Sequence, residues 1–204
     1  MNMQQKLYAY LEASQGFANK YIEQAFREID RADFVLSEYR EMAYQDTALP
    51  IGHGATISQP TTVLFMLNQL QPSRSEKILD VGSGSGWTTA LLAKIVGDSG
   101  EVIGTEIVPE LVKFGNKNLK KYNFKNAKII LAGKRLGLSR QAPFDRILVS
   151  AAAAKLPDEL PKQLTVGGRI IIPVQGSIWK IDRISKNKFD EQEFPGFLFV
   201  PLKS

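Results

Sequence analysis

KILDVGSGSG, residues 77–86, reads as a buried strand running straight into a glycine-rich turn, with Gly82, Gly84 and Gly86 at every second position. Such a turn lets backbone N–H groups approach a ligand that larger side chains would hold off. The next strand, EVIGTE at 101–106, closes on an acid, Glu106. An acid at that strand end is placed to accept hydrogen bonds from ribose hydroxyls. The spacing is G-x-G-x-G rather than the G-x-G-x-x-G of dinucleotide binders, which gives less sign of a pyrophosphate site at the helix start. A nucleoside ligand without phosphates fits the pair, and S-adenosylmethionine is the common one. A structural turn with no ligand is the alternative reading.

Outward from this stretch the pattern alternates. Trp87 to Val96 reads as a helix, Gly97 to Gly100 as a turn, EVIGTE as a strand, and Pro109 to Tyr122 as a helix with proline at its start. AKIILA (127–132) and FDRILVSA (144–151) read as further strands. Pro157 to Leu164 reads as a short helix, and Gly167-Gly168 as a turn into RIIIPV. Ser177 to Ile184 and Phe197 to Leu202 read as two last strands. Alternation of this kind predicts an α/β fold: a doubly wound, mainly parallel sheet with helices on both faces. Ligands of such sheets lie beyond the strand carboxyl ends, where Gly82, Glu106 and Ser150 all fall.

The first third differs. Leu7, Tyr8 and Leu11, then Tyr21, Ile22, Ala25, Phe26 and Ile29, recur at helical spacing, and Gly16 and Asn19 separate the two helices. Arg31 to Tyr44 is mixed. Asp46 to Pro60 reads as a loop long enough to suspect a function, before a helix from Pro60 to about Leu70. The expected organisation is one domain, 1–204, with helices and an active-site loop in 1–60 and the α/β core in 61–204.

Composition narrows the chemistry. The chain has no cysteine and one histidine, His53, which excludes disulfides, thiolate zinc sites, a cysteine nucleophile and a multi-histidine metal site; no metal is expected. A net charge of +5 allows a nucleic-acid partner, but Lys and Arg are scattered. The densest patch, Lys113 to Lys128, reads as a solvated helix face and turn. The N-terminal residues lack the apolar core of a signal peptide, and no apolar run reaches membrane-spanning length, so a cytoplasmic monomer is expected.

The chain resembles the protein-L-isoaspartate O-methyltransferase family from roughly Ile29 to Leu202. AYQDTALPIGHGATISQP (43–60) carries the family's signature: an acidic residue, L-P-I-G, a further glycine, then T-I-S followed by proline. APFDRILVSAAA (142–153), LTVGGRIIIPV (164–174) and FVPL (199–202) are similar to later family motifs. The resemblance implies a Rossmann-like methyltransferase fold with an N-terminal helical extension. It implies methyl transfer from S-adenosylmethionine, with S-adenosylhomocysteine as product, to the α-carboxylate of isoaspartyl residues in damaged proteins or peptides. It makes Ser58 the active-site residue. Ile57, Gln59, Asp80, Gly82, Ser83, Gly84, Gly86, Glu106, Ile107, Gly133 and Lys134 are its expected cofactor residues, and His53, Ser150, Ala151 and Ala152 its expected substrate residues.

That chemistry suits the residues present. A carboxylate is already ionised at neutral pH, so no strong base is required, only in-line positioning in a closed site. Blander readings stand beside several residues. Ser58 also suits a cap for the helix beginning at Pro60, Gln59 and Pro60 suit a plain helix start, His53 a shaped turn, Ala151 to Ala153 close packing, and Trp87 the core.

One segment departs from the family. After its third sheet strand the family usually has G-D-G, then a basic residue and a glycine, the acid and glycine contacting adenine. Here LAGKRLG (131–137) puts Gly133 at the acid's place and Lys134 at the second glycine's. An acceptor for the adenine amino group is lost. Two other classes therefore stay in view: a diverged or inactive homologue that binds cofactor or a partner, and a nucleic-acid methyltransferase on the same fold. Against the latter, SAAA stands where an N-P-P-Y or D-P-P-Y motif would follow the fourth strand.

Overall fold

Glycine turn and acid lie side by side at the carboxyl ends of two neighbouring inner strands of a seven-stranded sheet. The structure is a computed structural model and describes residues 2–202. Helices α1 (Met3–Ser14) and α2 (Lys20–Glu28) are followed by 3-10 turns at Arg31–Phe34 and Ser37–Met42. Strands β1 (Leu49–Gly52) and β2 (Ala55–Ile57) precede helix α3 (Pro60–Leu70). The α/β core is β3 (Lys77–Val81), α4 (Trp87–Val96), β4 (Glu101–Glu106), α5 (Pro109–Leu119), β5 (Ala127–Leu131), β6 (Phe144–Val149), β7 (Leu164–Val174), β8 (Ser177–Ser185) and β9 (Lys188–Pro195). No helix among the described residues is long and apolar enough to cross a membrane.

The sheet order is β5-β4-β3-β6-β7-β8-β9, with β3 through β7 parallel and β8 and β9 antiparallel. From β3 the chain moves one way to β4 and β5, then returns to β6 on the other side of β3. This reversal creates the crevice in which ligands of such sheets bind. The strands alternate between two cores. Ile78, Val102, Ile129, Leu148 and Ile171 face the cluster built by all five helices. Leu79, Val81, Ile103, Ile147 and Ile170 face the other. That second face is covered by the irregular β5–β6 and β6–β7 crossovers, which contribute Leu136, Leu138, Leu156 and Leu160. Helices are expected on both faces; the crossovers do lie on both, but the five α-helices pack on one, and the second face has only short 3-10 turns at Ser139–Gln141 and Pro161–Gln163.

Four local expectations change. The helix expected over 157–164 shrinks to the Pro161–Gln163 turn, because Pro161 cannot donate within a helix. The 46–60 loop contains the β1–β2 hairpin, registered Leu49↔Ile57 and turned by Gly52, His53 and Gly54, all at positive φ. The Gly167-Gly168 turn lies inside β7, where the pairing with β6 slips between Phe144↔Leu164 and Arg146↔Arg169. Finally, 197–202 is no strand. It makes one bridge, Pro201 with Ala152, and the last strand is the polar KFDEQEFP of β9.

Candidate functional site

The turn after β3 is held from below by β4. The N–H groups of Gly82 (2.8 Å) and Ser83 (3.1 Å) both donate to the Thr105 carbonyl. Gly82, Gly84 and Gly86 all have left-handed φ, 77°, 50° and 85°. Glycine reaches this region without Cβ strain. Helix α5 presses on the turn from the side. Asn118 Nδ2 donates to the Ser85 carbonyl at 3.0 Å, and a Cβ added at Gly115 would stand 3.0 Å from the Gly84 carbonyl oxygen.

Glu106 is buried against this turn. Its Oε2 accepts from Gly84 N–H at 3.1 Å, and its Oε1 from Ile107 (2.7 Å) and Val108 (3.0 Å). A carboxylate offers about four lone-pair sites. Three are taken by backbone donors, and the free one on Oε2 belongs to a group that lines the main cleft. Asp80 lies deeper and is fully buried, accepting from the hydroxyls of Thr88 (2.8 Å) and Thr89 (2.6 Å) on one oxygen. Its other oxygen has no partner among the described residues. Burial pushes this carboxyl up to about 6, against the pull of the Thr89 and Thr88 hydroxyls and with a further upward push from the Glu106 charge.

The opposite wall is the β1–β2 hairpin with the strand-to-helix segment after it. Residue Gln59 caps α3 without a side-chain bond. Asp46 does that work instead, accepting from Thr61 N–H (2.9 Å), Thr61 Oγ1 (2.9 Å) and Gln59 Nε2 (3.0 Å). Ser58 is therefore not the residue that caps α3. The third wall is the segment after β6. Ala152 donates to the Val200 carbonyl (2.8 Å) and accepts from Leu202 N–H (2.7 Å), which clamps the C-terminal stretch over the site.

These walls border an open cleft of about 930 Å³, the solvent at its mouth included. Gly82, Gly84, Glu106, Ile107, Gly133 and Lys134 line it, as do His53, Ser150 and Ala151. A smaller cleft of about 300 Å³ adjoins it and holds Ile57, Ser58 and Ser83. The two share Thr56, Gly82, Gly84 and Ser150. Four expected residues line neither. Asp80 is sealed below the turn, Gly86 packs on Gly115, Gln59 is bonded to Asp46, and Ala152 faces the C-terminal segment. Sequence reasoning missed Arg31, Asn118 and Thr105, which shape the site through backbone carbonyls. Only Arg31 carries a sequence signal, as a charged residue between the apolar Ile29 and Phe34.

Comparison with known proteins identifies the family. The family model described as protein-L-isoaspartate(D-aspartate) O-methyltransferase matches residues 2–204. A protein-L-isoaspartate O-methyltransferase of Methanothrix thermoacetophila is 39% identical over 193 residues, 94% of this chain and 92% of the relative. One from Aeropyrum pernix is 41% identical over 184 residues, 88% of this chain and 71% of the relative. A solved structure described as a protein-L-isoaspartate O-methyltransferase of Plasmodium falciparum, in complex with S-adenosyl-L-homocysteine, superposes with a TM-score of 0.88 at 26% identity. It covers 100% of this chain and 99% of that one. With its turn, acid, hairpin and clamp in this arrangement, the chain belongs to the protein-L-isoaspartate(D-aspartate) O-methyltransferase family.

Proposed function

We propose that this protein methylates the α-carboxylate of L-isoaspartyl residues in damaged proteins or peptides, using S-adenosylmethionine. The observation that carries the reading is the meeting of two clefts at Gly82 and Gly84, one lined by Glu106 and the other by Ser58. The residues fit a nucleoside donor. Glu106 keeps an open acceptor site for a ribose hydroxyl, and Gly82 and Gly84 line both clefts with no side chain to hold a ligand off. When bound, S-adenosylmethionine supplies a methyl group on a sulfonium, so that carboxylate attack forms an O–CH₃ bond, breaks the S–CH₃ bond and neutralises both charges.

The chain's residues supply position rather than acid or base. Ser58 is assigned a hydrogen bond that orients the reacting carboxylate. His53, Ser150 and the small Ala151 are assigned the peptide side, where small residues leave room for backbone, and Ala152 holds the C-terminal clamp there. Excluding water between the hairpin and the clamp favours collapse of charge in the transition state. The reading extends to a monomer acting in the cytoplasm, consistent with a chain that has no cysteine to oxidise.

Methyl transfer to an isoaspartyl peptide, to its aspartyl isomer and to bulk RNA tests the reading. Transfer to the first alone is expected. Transfer to RNA, or to none with cofactor bound, would replace it. Gly133, whose surroundings would leave a Cβ in open space, keeps a second reading alive: a diverged member with weak cofactor affinity.

A further inference from the structure

Arg31, 2% exposed, lies behind the hairpin and holds backbone rather than a carboxylate. Its Nη1 donates to the carbonyls of Ala43 (2.8 Å) and Gln45 (3.3 Å), and its Nη2 to those of Thr47 (2.7 Å) and Ser58 (3.0 Å). The first three acceptors precede β1, and the fourth follows β2. One nitrogen, Nη2, thus fastens the chain entering the hairpin to the chain leaving it. The guanidinium also stands 5.3 Å from the ring centroid of Trp87, the first residue of α4 after the glycine turn. Trp87 and Ser58 line the same small cleft.

A buried cation is costly, but an apolar side chain of the same length would spare that cost only by leaving four carbonyls without this donor. Burial draws the Arg31 guanidinium down to about 10, opposed by the charge of Asp46, so it remains a cation at neutral pH. What the charge provides is a fixed geometry for an irregular segment whose carbonyls have no sheet or helix partner.

We infer that Arg31 is a positioning residue for methyl transfer, fixing the Ser58 backbone and the hairpin wall against the glycine turn. The inference rests on the proposed function. Every hydrogen bond runs to main chain, and the Asp46 charge supports the cation that makes them. Lysine cannot fully replace it, because one ammonium has three donors for four carbonyls and lacks the second nitrogen that holds Ala43 and Gln45 in the planar fork.

The test is Arg31→Lys. Binding of S-adenosylhomocysteine by calorimetry should change by less than about threefold, because Glu106 and the glycine turn are untouched. Turnover of an isoaspartyl peptide should fall about ten- to a hundredfold, mainly in kcat, as expected when a reacting group is misplaced. Unchanged kcat well below the melting temperature, or equal losses in cofactor binding and turnover, would overturn the inference. Should Arg31→Lys not fold, Arg31→Gly with added guanidinium is the second arm. Turnover recovered in proportion to the added cation supports positioning, and no recovery makes Arg31 a general requirement of the fold and overturns it. Wild type is assayed in parallel. If it lacks transfer, the functional reading fails, and the Arg31 hold is then read from amide exchange across 47–58 in wild type and Arg31→Lys. Faster exchange there in the variant sustains the hold, and equal exchange sinks it.

Discussion

Gly84 donates its backbone N–H to Glu106 Oε2 at 3.1 Å, joining two motifs 22 residues apart in the chain. The acid is thus part of the turn's own structure as well as a candidate for the ribose. Replacement should therefore have two separable consequences. Glu106→Ala leaves three backbone donors without their acceptor and should destabilise the fold by about 1–3 kcal/mol. Glu106→Gln keeps the shape but turns one oxygen into a donor. Both should weaken S-adenosylhomocysteine about ten- to a hundredfold by calorimetry. Wild-type affinity in Glu106→Ala would show that the acid serves the turn alone.

Gly115→Ala tests how firmly α5 sets the turn. The new Cβ would stand 2.5 Å from Ile129 Cδ1 and 3.0 Å from the Gly84 carbonyl oxygen. The Ile129 methyl can rotate away, but the Gly84 carbonyl moves only with the turn. Overpacking of about 1–3 kcal/mol is offset by about 1 kcal/mol of helix propensity, so the melting temperature should drop only modestly. Cofactor affinity should fall about tenfold, because the displaced carbonyl belongs to the binding turn. A large drop in melting temperature with affinity intact would reverse this assignment.

The α/β core was legible because its strands are buried on both faces and its turns carry their own chemistry. KILDV, EVIGTE and FDRILV each centre on buried branched residues, and Pro109 and Gly97 mark helix ends where the structure has them. β9 was not legible. As an exposed edge strand it has only Phe189 and Phe194 facing inward, and charge on an edge guards against unwanted pairing. The hairpin was hidden in a glycine-rich stretch that reads equally as a loop. At the site, residues with exposed backbone or side chains were found. Arg31 and Asn118 were not, because each acts on carbonyls 12 to 33 residues away and such bonds leave no local pattern.

Asp80 carries a pH signature. Its carboxyl sits at about 6 in the fold against 3.8 unperturbed, with burial the main cause. The folded state then holds the proton more tightly than the unfolded state. The contribution is fully present below 3.8 and is lost as pH rises through about 6. Above that, the ionised Asp80 weakens the fold. Asp80→Asn keeps an acceptor for Thr88 and Thr89 and removes the charge. Its stability relative to wild type should rise between these two values and level off above them, as read from denaturant unfolding across pH. A flat difference would mean that the carboxyl titrates alike in both states.

Ser58 and Asp46 divide two tasks that the sequence left together. Because Asp46 accepts from Thr61 N–H at the start of α3, Ser58→Ala should cost no more than about 0.5 kcal/mol of stability. Peptide methylation should nevertheless fall about a hundredfold or more if the hydroxyl orients the carboxylate. Asp46→Ala should show the reverse balance, losing about 1–2 kcal/mol as a lost cap. Unaltered turnover in Ser58→Ala would remove the residue from the mechanism.

Gly133 and Lys134 line the cleft with Glu106 and Ile107, and the resemblance to the family implies that this rim would meet the adenine. A Cβ at Gly133 meets nothing within 4 Å, and its φ is not left-handed, so an aspartate fits there without strain. Lys134 brings a cation to the same rim. The double change Gly133→Asp with Lys134→Gly restores an acceptor for an adenine amino group and removes a donor that has none to offer. A regained hydrogen bond to a charged group is worth about 1.5–3 kcal/mol. Part of that is lost to the freer glycine, which leaves roughly a tenfold tighter S-adenosylhomocysteine. The gain should appear in cofactor dissociation, with the peptide KM little changed. The backbone carbonyls near Leu131 and Ala132 are the competing acceptors. If that backbone already holds the adenine edge, the double variant will bind no better than wild type, and the alignment of LAGKRLG with the adenine site must be given up.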